Sequence, residues 1–546
     1  MRKLDSWRRG AASLLAGGVF VAFAAAQSTF EDAVAKYRER IQRPSLWKRT
    51  EGRRAIAETK DSRALALLVA DYAKPEPPRE VVRWLCVHLA LEFFRSYEHA
   101  DAWTAWRTAQ AKPADAWLWR AALGVEARAG SDSWIEVAES RMPAVLRAVA
   151  IAAGVESYDG LPDSETLERF AGWLRDKRTY GVDREMLVES MLAHFDRRAA
   201  SLLEPEHLAM LRDIAGELGN RQCSERSKLV IARLLARITG RENIGIDPEA
   251  WRALLADEVA EAVEVDYVRR RAARVSGFFG IPDRGRHVVY VIDASDSMLA
   301  PLTAAERGQL TGVEEKPSDA DRASNAAANA IDWSRVSTRF DAARELLISS
   351  LSRLDRNQKF AVLLFGTKAE PLAATPKLVE PKDKVLERVR EELSAIRPGP
   401  VAEGRPHGTL RGETNLHGGI SRAFELTTKR ALDREQAFIA VKSFDDACDT
   451  IYLLSDGAPS WDDFDCVDSN DGKWAGDPEA GTRYEHTGPL HYYGPFAWPP
   501  YLASDVRRMN MLRRCAIHVI GIGEADERLL EELAEIGHGR LLMIGK

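Results

Sequence analysis

The sequence predicts an all-α helical array followed by an α/β domain built on a doubly wound, mostly parallel sheet. Three observations predict it. From Thr29 to about Val275 apolar residues recur at three- and four-residue spacing, as in Val81, Leu85, Val87, Leu89, Ala90 and Phe93. The segment Ser276–Arg286 then breaks the pattern with Gly277, Gly280, Gly285 and Pro282. After it, short β-rich apolar runs alternate with amphipathic stretches, the signature of crossover units whose sheet is covered on both faces.

The first 26 residues have the form of an export signal. Arg2, Lys3, Arg8 and Arg9 make a basic leader, Ala11–Ala26 an apolar run, and the run ends in small residues before Gln27. Gly17 and Gly18 interrupt the run, and it falls short of the roughly 20 residues needed to span a bilayer, so cleavage near Ala26 is expected. The Arg8-Arg9 pair also fits twin-arginine export. The expected location is therefore periplasmic, cell-envelope or extracellular, with no transmembrane span in the mature chain.

Composition removes whole classes of function. With 546 residues, 45% hydrophobic and 29% charged, the chain has length and apolar content for two or three cored domains, which excludes a disordered or collagen-like protein. The formal charge is −6, and cleavage removes four bases but only one acid, Asp5. An acidic chain lacks the clustered Lys and Arg that nucleic-acid phosphates require. The five cysteines, Cys86, Cys223, Cys448, Cys466 and Cys515, show no metal or redox spacing, and no bridge is expected.

Residues 27–275 carry breaks at Pro75–Pro78, Lys112-Pro113 and Gly160–Asp163. This rhythm resembles HEAT-type helical repeats, an α-solenoid-like array, although an irregular bundle fits it too. Trp103, Trp106, Trp117 and Trp119 invite a binding-groove reading, but rings at helical spacing usually fill helix interfaces. Residues 276–286 read as a linker, and residues 287–546 as the α/β domain.

Within that domain the expected strands are 287–292, 360–365, 450–454, 516–521 and 540–544, and the expected helices 340–354, 382–396, 416–427 and 526–536. Three polar loops fall at strand or helix ends: Asp293-Ala294-Ser295-Asp296-Ser297, Glu413-Thr414-Asn415-Leu416, and Ser455-Asp456-Gly457. Ligands of doubly wound sheets collect at the carboxyl ends of strands, so the three loops should share one rim.

These loops resemble the von Willebrand factor A domain, over roughly Arg286–Lys546. The family's metal-ion-dependent adhesion site combines an Asp-x-Ser-x-Ser loop, a distant Thr and an Asp-Gly turn. Asp293, Ser295, Ser297, Thr414 and Asp456 fill all five positions in order. Hydroxyl and carboxylate oxygens without His or Cys select a hard cation, Mg²⁺ first, with Mn²⁺ or Ca²⁺ as substitutes. The resemblance implies hydroxyl ligation by Ser295, Ser297 and Thr414, with Asp293 and Asp456 acting directly or through water. It further implies that an Asp or Glu carboxylate on a protein partner completes the site. Asp296 departs from the family, which often has Gly there, and adds negative charge beside the ion.

Two insertions modify the rim. Residues 299–336, rich in Ala, Ser, Asp and Glu, read as a mobile or loosely helical flap. Residues 460–501 hold eight acids against Lys473 and Arg483, together with nine aromatic rings, so they form either a packed lid or a recognition surface. Asp463, Asp465, Asp468, Asn470 and Asp471 before Gly472 fail the EF-hand spacing, because Gly is fifth from Asp468. Gly521-Ile522-Gly523 lacks the third glycine of a dinucleotide loop, and no hydrolase or phosphate-loop motif occurs. The function expected is non-enzymatic: a secreted or envelope module for adhesion or complex assembly. The alternative is an envelope scaffold whose helical domain binds partners while the metal stabilises the rim.

Overall fold

The computed structural model describes residues 30–110, 116–157, 163–176, 182–195, 204–241, 244–256, 277–282, 285–313, 331, 333–396, 412–468, 476–477, 482–483 and 490–545. The export-like segment 1–26 lies outside them. They fall into two compact units: residues 1–112 with 464–495, and residues 113–463 with 496–546.

In the first unit the helices Leu46–Ala57, Ser62–Ala73, Arg79–Phe93 and Ala100–Thr108 bury one apolar face each. The first two start at side-chain caps: Ser45 accepts from the Lys48 N–H and Asp61 from the Arg63 N–H. Trp103 is wholly buried and its indole donates to the Phe94 carbonyl at 3.0 Å, which is the packing role expected of a ring at helical spacing. The same unit holds the middle of the aromatic insertion. There Cys466–Asp468 pairs antiparallel with Leu490–Tyr492, and the Lys48 ammonium sits 5.0 Å over the Tyr492 ring.

In the second unit, helices from Ala116–Arg128 to Pro248–Leu254 surround Ile151, Phe170, Met191, Leu211, Leu235 and Trp251. No strand occurs among the described residues from 30 to 256. Helix Glu225–Thr239 attaches this array to the amino-terminal edge of the sheet. Arg233 donates to the Asp449 carbonyl at 2.8 Å and to the Thr450 hydroxyl at 2.6 Å, and the buried Arg226, paired with Glu189, donates to the Arg513 carbonyl at 2.6 Å. Helices 116–254 therefore belong to the same compact unit as the sheet, although the first strand residues appear only at Gly277. The segment 276–286, read as a linker, is packed where it is described. Gly277–Phe278 pairs with Ile281–Pro282, and Phe278 lies edge-on to Tyr290 at 5.3 Å and to Tyr452 at 5.7 Å.

The sheet comprises β1 (His287–Asp293), β2 (Lys359–Phe365), β3 (Ala369–Pro371), β4 (Thr450–Ser455), β5 (Ala516–Ile522) and β6 (Leu541–Ile544). Its order is β6-β5-β4-β1-β2-β3, parallel throughout except for the antiparallel edge strand β3. β1, β2 and β4 are buried along almost their whole length, which explains why they read as unbroken apolar runs. Chain order reverses between β1 and β4, so a crevice opens at their carboxyl ends.

The helices of this domain are Arg339–Leu351, Asp383–Ala395, Leu416–Glu425, Pro499–Arg513 and Glu527–Ile536, with shorter ones at Ala304–Val313 and Arg434–Ile439. Two departures from the sequence reading matter for the site. The flap expected at 299–336 contains a packed helix: Arg307 donates to the Trp333 and Val336 carbonyls at 2.7 and 2.6 Å, and Leu310 is buried. The insertion expected to run to residue 501 ends in the helix Pro499–Arg513. Among the described residues no helix is long and apolar enough to cross a membrane.

Candidate functional site

The end of β1 and the turn after it place Asp293, Ser295 and Ser297. Asp293 is fully buried; its Oδ1 accepts from the Ser295 N–H at 2.9 Å and its Oδ2 from the Ser455 hydroxyl at 2.7 Å. The carboxylate thus spans the switch point from β1 to β4. The Ser295 and Ser297 hydroxyl oxygens are 3.0 Å apart, and Ser297 donates to Asp456 Oδ1 at 2.6 Å. Ser295 and Asp456 are buried while Ser297 is exposed, so the cluster opens to solvent at Ser297.

Thr414 reaches the cluster from the loop before helix Leu416–Glu425. A Cβ placed on Gly457 would lie 3.6 Å from the Thr414 hydroxyl and 3.7 Å from that of Ser297, so both face the Asp456-Gly457 turn. The loop is fixed by its backbone. Thr414 N–H donates to the Ser460 hydroxyl at 3.0 Å, and Ser460 N–H donates to the Thr414 carbonyl at 3.1 Å. Asn415 caps the helix, its Oδ1 accepting from the Gly418 N–H at 2.7 Å. All five residues singled out by the sequence are therefore brought to one crevice.

Their electrostatics are unusual for carboxylates. Burial, then the charge of Asp456, pushes Asp293 up to about 7 against the hydrogen bonds from Ser295 and Ser455. Asp456 is also raised by burial, opposed by its bonds to Ser297 and Arg339. Asp296 is exposed; partial burial and Glu413 raise it, and its backbone N–H donates to the Gly412 carbonyl at 3.0 Å.

Three contributors lie outside the five residues the sequence singled out, Ser455 among them although its loop was expected at the rim. Ser455 holds Asp293. Arg339, the first residue of its helix, donates to Asp456 Oδ2 at 3.0 Å and to Glu306 Oε1 at 3.1 Å. His417 is wholly buried. Its Nε2 lies 2.8 Å from Asp505 and its ring stacks on Phe496 at 4.0 Å, bracing the helix that follows Thr414. Only the Asn-Leu that follows Thr414 marked this helix start beforehand.

The donor set suits a hard divalent cation. It offers three neutral hydroxyls and two carboxylates, and every donor atom is oxygen. Among the described residues no group of three or more His, Cys, Asp or Glu is gathered as a metal cluster would need. The second acidic run does not gather: Asp463 accepts from Asn415 at 2.7 Å and lies 3.3 Å from Arg434, while Asp465 pairs with His491 at 3.0 Å. The side chains of 468–472 lie outside the described residues.

The order of the sheet and the convergence of the three loops can be set beside known families. Residues 329–452 and 500–542 match the von Willebrand factor type A domain. The gap in the match coincides with the aromatic insertion. The match begins after the Asp293–Ser297 loop and pauses before Asp456, so Thr414 alone of the five lies within it. No match to the chain was found among curated proteins. A region matching the von Willebrand factor type A domain, with a mostly parallel sheet, thus follows a helix-rich region.

Proposed function

We propose that this protein is an exported, non-enzymatic binding module that captures an Asp or Glu carboxylate of a partner protein through Mg²⁺ held by Asp293, Ser295, Ser297, Thr414 and Asp456. Domains of the von Willebrand A type commonly serve protein–protein interaction. The observation that carries the reading is the meeting of five hard oxygen-bearing side chains from three loops at the switch point of the sheet, open to solvent at Ser297. The ion would supply a Lewis-acidic centre for a carboxylate. The chain's own residues orient it: Asp293 is fixed by Ser295 and Ser455, and the Ser297 hydroxyl directs its proton to Asp456 and accepts from Ser295, leaving one oxygen lone pair free. The helical region, in this reading, is a HEAT-like platform presenting the metal-bearing domain.

The test is affinity capture from the envelope fraction with the full chain, in Mg²⁺ and in EDTA, beside Asp293→Ala. Partners retained in Mg²⁺ and lost both in EDTA and with the variant support capture through the ion. An unchanged set of partners sinks it. The second reading, a scaffold whose metal stabilises the rim, draws on the anchoring of Asp456 by Arg339 and Glu306 inside the fold. It requires that Asp456→Ala lower the melting temperature in Mg²⁺ without loss of partner.

A further inference from the structure

Arg339 sits behind the candidate cation site in a geometry that ordinary packing does not require. Its guanidinium lies 3.0 Å from Asp456 on one side and 3.0 Å from Glu306 on the other, and the three side chains are 13%, 0% and 1% exposed. Glu306 belongs to the inserted helix Ala304–Val313 and is itself fixed, its Oε2 accepting from the Thr303 N–H at 2.7 Å. Gly523, at φ +67°, makes room for the guanidinium: a Cβ there would lie 2.0 Å from Arg339 Nη2. With Ser297 on Oδ1 and Arg339 on Oδ2, both oxygens of Asp456 are engaged by the chain.

We infer that Arg339, clamped by Glu306, tunes the charge of the cation site: bonded to Asp456 Oδ2, it offsets one negative charge, so that the bound cation keeps its attraction for a carboxylate. Asp293 and Asp456 together would neutralise a divalent ion; Arg339 beside them adds one positive charge, offset in part by Glu306 on the far side of the guanidinium and by Asp296 in the loop. The inserted helix, absent from the simplest reading of the metal loop, thereby acquires a function. The inference rests on the proposal that the five oxygens hold a cation.

Opposite signs of effect test it. Calorimetric titration of Mg²⁺ and Mn²⁺ into the full chain compares wild type, Arg339→Gln, Arg339→Lys and Glu306→Gln. Loss of the repelling charge should tighten cation binding in Arg339→Gln by about tenfold, Arg339→Lys should stay near wild type, and Glu306→Gln should bind several-fold more weakly. A merely structural role would weaken binding in every variant. An Arg339→Gln protein with wild-type near-UV circular dichroism and unchanged or weaker affinity overturns the inference. Should Arg339→Gln fail to fold, Arg339→Lys and Glu306→Gln decide together: a weakened Arg339→Lys, or an unchanged Glu306→Gln, overturns it equally. If wild type binds neither ion, the cation proposal falls and this inference with it; if wild type binds and Arg339→Gln does not tighten, this inference alone falls.

Discussion

Asp293 and Asp505 are both buried by the same domain, yet their surroundings drive them in opposite directions. Asp505, on helix Pro499–Arg513, is held down to about 2 although burial opposes it: the Arg508 charge acts first, and the hydrogen bond and charge of His417 add to it. Arg508 Nε lies 2.7 Å from one oxygen and His417 Nε2 2.8 Å from the other. Asp293 meets a backbone N–H, a serine hydroxyl and a second carboxylate, and burial pushes it up to about 7. Burial costs both carboxylates alike; the difference lies in whether the chain supplies a cation. Asp505 is balanced from within and acts as a brace. Asp293 has only neutral donors, which is the environment a carboxylate ligand to an added cation would have.

The largest expected effect breaks the brace. Asp505→Ala would strand Arg508 and His417 inside the domain, and losing one partner of a buried ion pair costs about 3–5 kcal/mol. Urea unfolding at neutral pH measures it. A loss below about 1 kcal/mol would mean that the two carboxylates are not the opposites their surroundings suggest.

A second effect, of a few kcal/mol at most, is the dependence of metal-free stability on pH. Asp293 has a folded value near 7, above its unfolded one, so its native state keeps a proton that the unfolded chain releases near pH 4. Its contribution is complete below pH 4 and is lost as pH rises towards 7. Asp505 has the opposite sign: its contribution is present above the unfolded value and is lost as pH falls through about 2. Unfolding of metal-free Asp293→Asn across this range should show a smaller decline between pH 4 and 7 than wild type, what remains coming from Asp456 and Asp296, which are raised as well. Parallel curves for the two proteins would refute the assignment.

These two carboxylates also show where sequence reasoning reached and where it stopped. Asp293 was accessible because its spacing to Ser295 and Ser297 is local and because an apolar strand runs directly into it. Thr414 and Asp456 followed from the same logic of polar residues at element ends. The His417–Asp505 pair was hidden because it joins residues distant in sequence, and the Asp505–Arg508 pair, though only three residues apart, lies on a helix the sequence did not mark. Helix Pro499–Arg513 was hidden too. It begins with two prolines and buries Asp505, Arg508, Asn510 and Arg513 beside its apolar residues, which erases the amphipathic pattern. Arg339 lies beyond the inserted helix that supplies Glu306, so the sequence gap conceals the pair.

Adding Mg²⁺ sharpens the comparison from the other side. At a concentration one hundred times its Kd, the ion should stabilise wild type by about 2.7 kcal/mol and leave Asp293→Asn unmoved, while a variant of the brace, destabilised as it is, should gain the wild-type increment. Thermal unfolding with and without Mg²⁺ reads all three, and an equal gain in Asp293→Asn would separate that residue from the ion.

The smallest effect concerns a single neutral oxygen. Thr414 is secured by its backbone, through Ser460, and its hydroxyl faces the Asp456-Gly457 turn beside Ser297. Thr414→Val keeps the shape and those backbone bonds and removes only the hydroxyl, whose loss should weaken cation binding by about 1 kcal/mol, or roughly fivefold. Metal-free stability should change little, because the loop is held by the backbone bonds of Thr414 to Ser460, which the valine keeps. Thr414→Ser should bind the ion as wild type does. If titration finds the valine variant equal to wild type, Thr414 is a structural neighbour of the site, and the cation is held by the Asp293–Ser297 loop and the Asp456 turn without it.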